Sequence, residues 1–80
     1  MKIKRAFKKL NELDKAVGGI EWSIQCNRRI DEVTYNCRID LYWEPEIRPF
    51  WSGWFYTLDA AIIDAVNLVN AYYHFDLIGE

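Results

Sequence analysis

Apolar side chains open the chain at spacings of three and four: Ile3, Ala6, Phe7, Leu10, Leu13 and Val17. That is the period of a helix with one buried face, and Gly18-Gly19 then supplies the left-handed backbone with which helices commonly stop. From Ile20 the period drops to two. Ile20, Trp22, Ile24 and Cys26 alternate with Glu21, Ser23 and Gln25; further on, Tyr35, Cys37, Ile39, Leu41 and Trp43 alternate with Thr34, Asn36, Arg38, Asp40 and Tyr42. The pattern predicts two half-buried strands joined as a hairpin through residues 27–33. Setting Cys26 opposite Cys37 also sets Ile24 opposite Ile39, Trp22 opposite Leu41 and Ile20 opposite Trp43, which gathers the apolar residues on one face.

Pro45 and Pro49 cannot donate to a central ladder, so residues 44–49 read as a connection. A third strand over residues 50–56 follows, with Phe50, Trp54 and Tyr56 on one side and Trp51 and Phe55 on the other; which side is buried stays open. Thr57 suits the N-cap of a last helix, where Asp59 favours the dipole. Leu58, Ala61, Ile62, Ala65, Leu68, Val69 and Tyr72 form that helix's buried face, with Asp59, Asn67, Asn70 and His74 opposite. The expected fold is α+β, a two-layer α-β-β-β-α domain spanning residues 1–80. It has a three-stranded antiparallel sheet, both helices on one face and the other face open.

Charge is divided unevenly. Residues 1–17 hold Lys2, Lys4, Arg5, Lys8, Lys9 and Lys15 against two acids, whereas residues 18–80 hold four arginines against ten acids, giving −2 overall. The basic set reads first as the solvated face of helix one, and in an alternative reading as a nucleic-acid contact made by Lys2, Lys4, Arg5, Lys8 and Lys9. The acidic remainder limits such binding to weak, nonspecific contacts.

No stretch has the roughly 20 continuous apolar residues that span a bilayer, and no secretory leader is evident, so a cytoplasmic protein without membrane contact is expected. Cys26 and Cys37 are too few for a disulfide scaffold and, with His74, fall short of a four-ligand zinc site. Both are expected to be buried, reduced thiols, neighbours across the hairpin, and no metal or cofactor is implied. Catalysis has little to stand on: the lone His74 sits near the chain end, and Glu44 and Glu46 flank a loop proline. The four glycines form no phosphate-binding pattern. A non-enzymatic protein is the expectation, with no catalytic residues.

The anomaly is aromatic density, since Tyr42, Trp43, Phe50, Trp51, Trp54, Phe55 and Tyr56 make up seven of the fifteen residues from 42 to 56. A two-layer domain buries one sheet face, so some of these aromatics must lie on the open face beside Arg38 and Asp40, in the composition of a binding hot spot.

The α-β-β-β-α order resembles the double-stranded RNA-binding domain. The stretch matching that family's phosphate clamp, Thr57-Leu58-Asp59-Ala60-Ala61, carries an acid and no base. The same order occurs in HicA-type toxins, whose sheet histidine has no counterpart, His74 lying in the last helix. The opening helix, the strands bearing Trp and Cys, and the helix start Thr57-Leu58-Asp59-Ala60-Ala61-Ile62 resemble small phage proteins of the ABA-sandwich type. That resemblance implies a phage or prophage setting, no known reaction, and inhibitors of host systems such as anti-CRISPR proteins as the functional analogy. The expectation is a protein that binds a host protein or complex, inhibiting or modulating it through Arg38, Tyr42, Trp51 and Trp54. The alternatives are the nucleic-acid module already described and an assembly protein that homodimerises by an exposed strand or aromatic face.

Overall fold

A computed structural model describes residues 2–41, 44 and 46–72. It has helix α1 (Lys2–Val17), strands β1 (Ile20–Arg28), β2 (Val33–Leu41) and β3 (Phe50–Trp51), and helix α2 (Leu58–Tyr72). The sheet is antiparallel in the order β1-β2-β3. One core joins Ala6, Leu10, Leu13 and Val17 of α1, Ala61, Ile62, Ala65, Val66 and Val69 of α2, and the sheet row Ile20, Cys37, Ile39 and Leu41. Both helices therefore cover the same sheet face, as expected.

Helix α1 ends as its glycines require. Gly18 and Gly19 have φ of 85° and 118°, and the Gly19 N–H donates to the Asp14 carbonyl at 2.9 Å. This six-to-one bond is that of a Schellman motif. The Asp14 carboxylate accepts the next donor, Ile20 N–H, at 2.8 Å, so one residue closes the helix and aims the chain into β1. At the start of α2 the Thr57 carbonyl accepts from Ala61 N–H at 3.3 Å, which places Thr57 at the N-cap.

The hairpin register differs from the expected one by two residues. Ile24 lies opposite Cys37, Cys26 opposite Tyr35, Trp22 opposite Ile39 and Ile20 opposite Leu41. A shift of two leaves every side chain on its original face, so the alternation of apolar residues cannot distinguish the two pairings. The turn decides it: β1 runs on to Arg28 and β2 starts at Val33, closed by Arg29 N–H donating to the Glu32 carbonyl at 2.8 Å. The loop is four residues long, shorter than expected. Cys26 and Cys37 are thus diagonal rather than opposed, and both are free.

Strand β3 also departs from expectation. Phe50 pairs with Ile39 and Trp51 with Arg38, but the next bridge joins Phe55 to Tyr35. Between them, Gly53 and Trp54 lie opposite the single residue Asn36, which is a β-bulge. The extra residue reverses the alternation, so Phe50 and Phe55, five apart, both pack on the core while Trp51, Trp54 and Tyr56 are exposed. Neither set of sides expected from strict alternation survives.

Burial corrects four more positions. Cys26 is exposed and Trp22 is 41 % exposed, although both sit on the core-facing row. Leu68 and Tyr72 of α2 are exposed and Val66 takes a core place instead. The helices cover β2 more completely than β1, so the apolar row of the outer strand runs past its cover. Trp43, expected opposite Ile20, and His74 lie outside the described residues.

Candidate interaction face

The sheet face away from the helices carries Ser23 and Gln25 of β1, Asn36, Arg38 and Asp40 of β2, and Trp51 of β3. Its organisation starts at the bulge. Ser52, 6 % exposed, donates its backbone N–H to the Cys37 carbonyl at 2.9 Å, and its Oγ accepts the Cys37 N–H at 2.8 Å. That hydroxyl takes the place in the ladder that the Ser52 carbonyl would ordinarily fill, and it donates in turn to the Gly53 carbonyl at 2.7 Å. The freed Ser52 carbonyl accepts from Asn36 Nδ2 at 2.5 Å. Asp64 of α2 anchors the bulge from the other side, accepting Gly53 N–H at 3.0 Å. The bulge is thus held by side chains from β2 and α2, and it fixes where Trp51 stands.

Trp51 is 49 % exposed, and the Arg38 guanidinium lies over its ring at 5.4 Å from the centroid. Asp40, two residues along the same face, holds the guanidinium from behind: Arg38 Nη2 donates to Oδ1 at 3.3 Å and Nε lies 3.0 Å from Oδ2. With both partners partly exposed this ion pair adds little net stability. Its effect is positional, since a cation between a carboxylate and an indole has few other places to go. Gln25 Oε1 and Asn36 Oδ1, neighbours across the β1–β2 ladder, are buried and accept no hydrogen bond from the described residues. The face therefore centres on the Arg38–Trp51 pair.

Of the residues picked from the sequence, the structure brings Arg38 and Trp51 into contact and leaves Trp54, 53 % exposed, at the bulge. Tyr42 lies outside the described residues. Lys4, Arg5, Lys8 and Lys9 are exposed along α1, opposite its buried stripe; the side chain of Lys2 lies outside the description. Sequence reasoning passed over Ile30, fully exposed at the hairpin tip, and the Ser52–Asn36 lock. The lock had a visible signal: Ser-Gly inside a strand pattern is a mark of a bulge.

Elsewhere, a groove of about 440 Å³ runs beside α2 between Arg5, Phe55, Asp59 and Asp64. Among the described residues no group of three or more His, Cys, Asp and Glu is placed to hold a metal ion, and no helix is long and apolar enough to cross a membrane. Burial pushes the Cys37 thiol up from 9.0 to about 11, which suits an inert core group. The Tyr56 hydroxyl donates to Glu32 Oε1 at 3.1 Å, and that bond raises its pKa. No protein-family model, curated protein or solved structure matches the chain. The likeness to ABA-sandwich phage proteins therefore rests on residue pattern alone.

Proposed function

We propose that the protein acts by binding another protein through the open face of its sheet, with Trp51 and Arg38 as anchors and Trp54 at the margin. The observation that carries this reading is the half-exposed Trp51 with the Arg38 guanidinium held over its ring by Asp40. Trp and Arg dominate binding hot spots, and a side chain already ordered loses less entropy on docking. In the phage setting implied by the sequence resemblance, the partner is a host protein, a defence complex of the CRISPR type among them, and binding inhibits or modulates it without catalysis.

The test compares wild-type protein with Trp51→Ala and Arg38→Ala in affinity capture from host lysate. Calorimetry then follows with the captured partner made separately. Loss of a hot-spot side chain costs about 2 kcal/mol, roughly a thirtyfold weaker dissociation constant. Undiminished affinity in both variants, each with wild-type thermal stability, refutes the reading.

A further inference from the structure

We infer that the outer edge of β1 is a pairing surface for a second copy of this chain, giving a two-fold dimer with a continuous six-stranded sheet. The inference is independent of the open-face reading above, since it uses the edge of the sheet and not its face.

Strand geometry decides which backbone groups of β1 point outward. In an antiparallel strand each residue directs both its N–H and its C=O to the same side. Tyr35 N–H donates to Phe55 and the Cys37 carbonyl accepts from Ser52, so the odd residues of β2 serve β3. The even residues of β2 then serve β1, where their partners are Glu21, Ser23, Gln25 and Asn27. The N–H and C=O groups of Trp22, Ile24, Cys26 and Arg28 are left on the free edge, with no partner among the described residues; the Ile20 N–H is taken by Asp14.

Edges of this kind are normally blunted by proline, a bulge, brevity or charge. The β3 edge has three of these: two residues of strand, the bulge, and Pro49 just before it. The β1 edge is nine residues long with neither proline nor glycine, and charge appears only at Glu21 and Arg28. One edge of the sheet is guarded and the other is not.

The second copy is favoured as occupant because β1 is complementary to itself about Ile24. Antiparallel pairing centred there keeps the helix-covered faces on one side and joins outward-pointing residues only, Ile24 to Ile24, Trp22 to Cys26 and Ile20 to Arg28 of the second copy. The exposed Trp22 and Cys26 then cover each other. On the opposite face Ser23 meets Gln25, and Glu21 lies diagonal to Arg29 of the second copy at both ends, within reach of long side chains. Moving the axis to Gln25 sets Trp22 against Arg28, and moving it to Ser23 leaves Asn27 and Arg28 unpaired. The pairing is isologous and closes at two, which separates it from open-ended edge aggregation.

Sedimentation equilibrium of the wild-type chain at high micromolar concentration should give twice the 9.5 kDa chain mass. Cys26→Pro should give the mass of one chain at the same concentration with an unchanged circular dichroism spectrum, because the donor it removes serves no bond within the monomer and edge strands tolerate such a proline. Amide exchange supplies a readout that needs no variant. Protection at Trp22, Ile24 and Cys26 should rise with protein concentration, while Ser23 and Gln25, bonded to β2, stay protected throughout. A wild-type chain that remains monomeric, a ladder of larger species, or protection at those three amides that ignores concentration overturns the inference.

Discussion

Replacing Ser52 by alanine tests the interpretation of the bulge most directly. The Oγ it removes accepts the Cys37 N–H at 2.8 Å and donates to the Gly53 carbonyl at 2.7 Å. The site is buried: Ser52 is 6 % exposed and Cys37 fully enclosed. A buried donor left without an acceptor costs about 1–3 kcal/mol, and the lost bond to the partly solvated Gly53 carbonyl adds at most about 1 kcal/mol. The expected loss is therefore about 2–3 kcal/mol, a large share of the roughly 4–12 kcal/mol that a domain of this size commands. At about 4–8 °C per kcal/mol the midpoint of thermal unfolding should fall by roughly 8–24 °C. Urea denaturation followed by tryptophan fluorescence measures it, with Ser23→Ala as the control, since the Ser23 hydroxyl accepts only an exposed bond from Gln25 and should move stability by no more than about 0.5 kcal/mol. If Ser52→Ala costs no more than its control, the hydroxyl is not part of the ladder, and the argument that the bulge is built and held in place fails.

Three further outcomes follow from burial. Ile62, fully buried against both layers, should lose about 2–5 kcal/mol on change to alanine, whereas Leu68, 40 % exposed on the same helix, should lose well under 1.5 kcal/mol; thermal melts of the two variants rank them. At concentrations low enough for the chain to be monomeric, the exposed Cys26 should react with a thiol reagent at once and Cys37 only on unfolding. Because the Cys37 thiol keeps its proton to about pH 11 when folded and releases it near 9.0 when unfolded, stability should be unaffected below pH 9 and fall as the pH rises from 9 to 11. Cys37→Val should remove that part of the fall in pH-dependent denaturation.

Element order was legible because each element has a strong local signal: the three-and-four spacing of α1, the glycine pair that stops it, the alternation in β1 and β2, the prolines before β3 and the threonine before α2. What stayed hidden depended on geometry that local pattern does not record. Apolar alternation is blind to a slip of two residues, so the hairpin register rested on a four-residue turn without the usual glycine or asparagine signal. The sides of β3 were misread because one extra residue at Gly53-Trp54 changes parity, and strict alternation assumes none. The exposure of Trp22 and Cys26 depends on how far two helices reach across a sheet, and Leu68 gave way to Val66 by a rotation of one position around α2. Of the site, the composition of the face was readable from Arg38 and Trp51, but its rigidity was not, since that comes from Ser52, Asn36 and Asp64 meeting from three separate elements.

The corrected register is also what makes the two surfaces of the sheet separable. Had Cys26 faced Cys37, the odd residues of β2 would still serve β3 and the even ones β1, but β1 would have slid by two residues along its neighbour, shortening the hairpin's ladder and lengthening its loop. With the tight turn, β1 is paired along its whole length on one side and, among the described residues, open from Trp22 to Arg28 on the other. A two-fold axis through Ile24 perpendicular to the sheet keeps like faces together, so a dimer would present two Arg38–Trp51 pairs on one side and all four helices on the other. A partner with two matching sites would then be bound with an effective local concentration that a single copy cannot supply. Edge and face would act in concert without touching, and a variant that breaks the edge should weaken binding to a bivalent partner while leaving binding to a monovalent fragment of it unchanged.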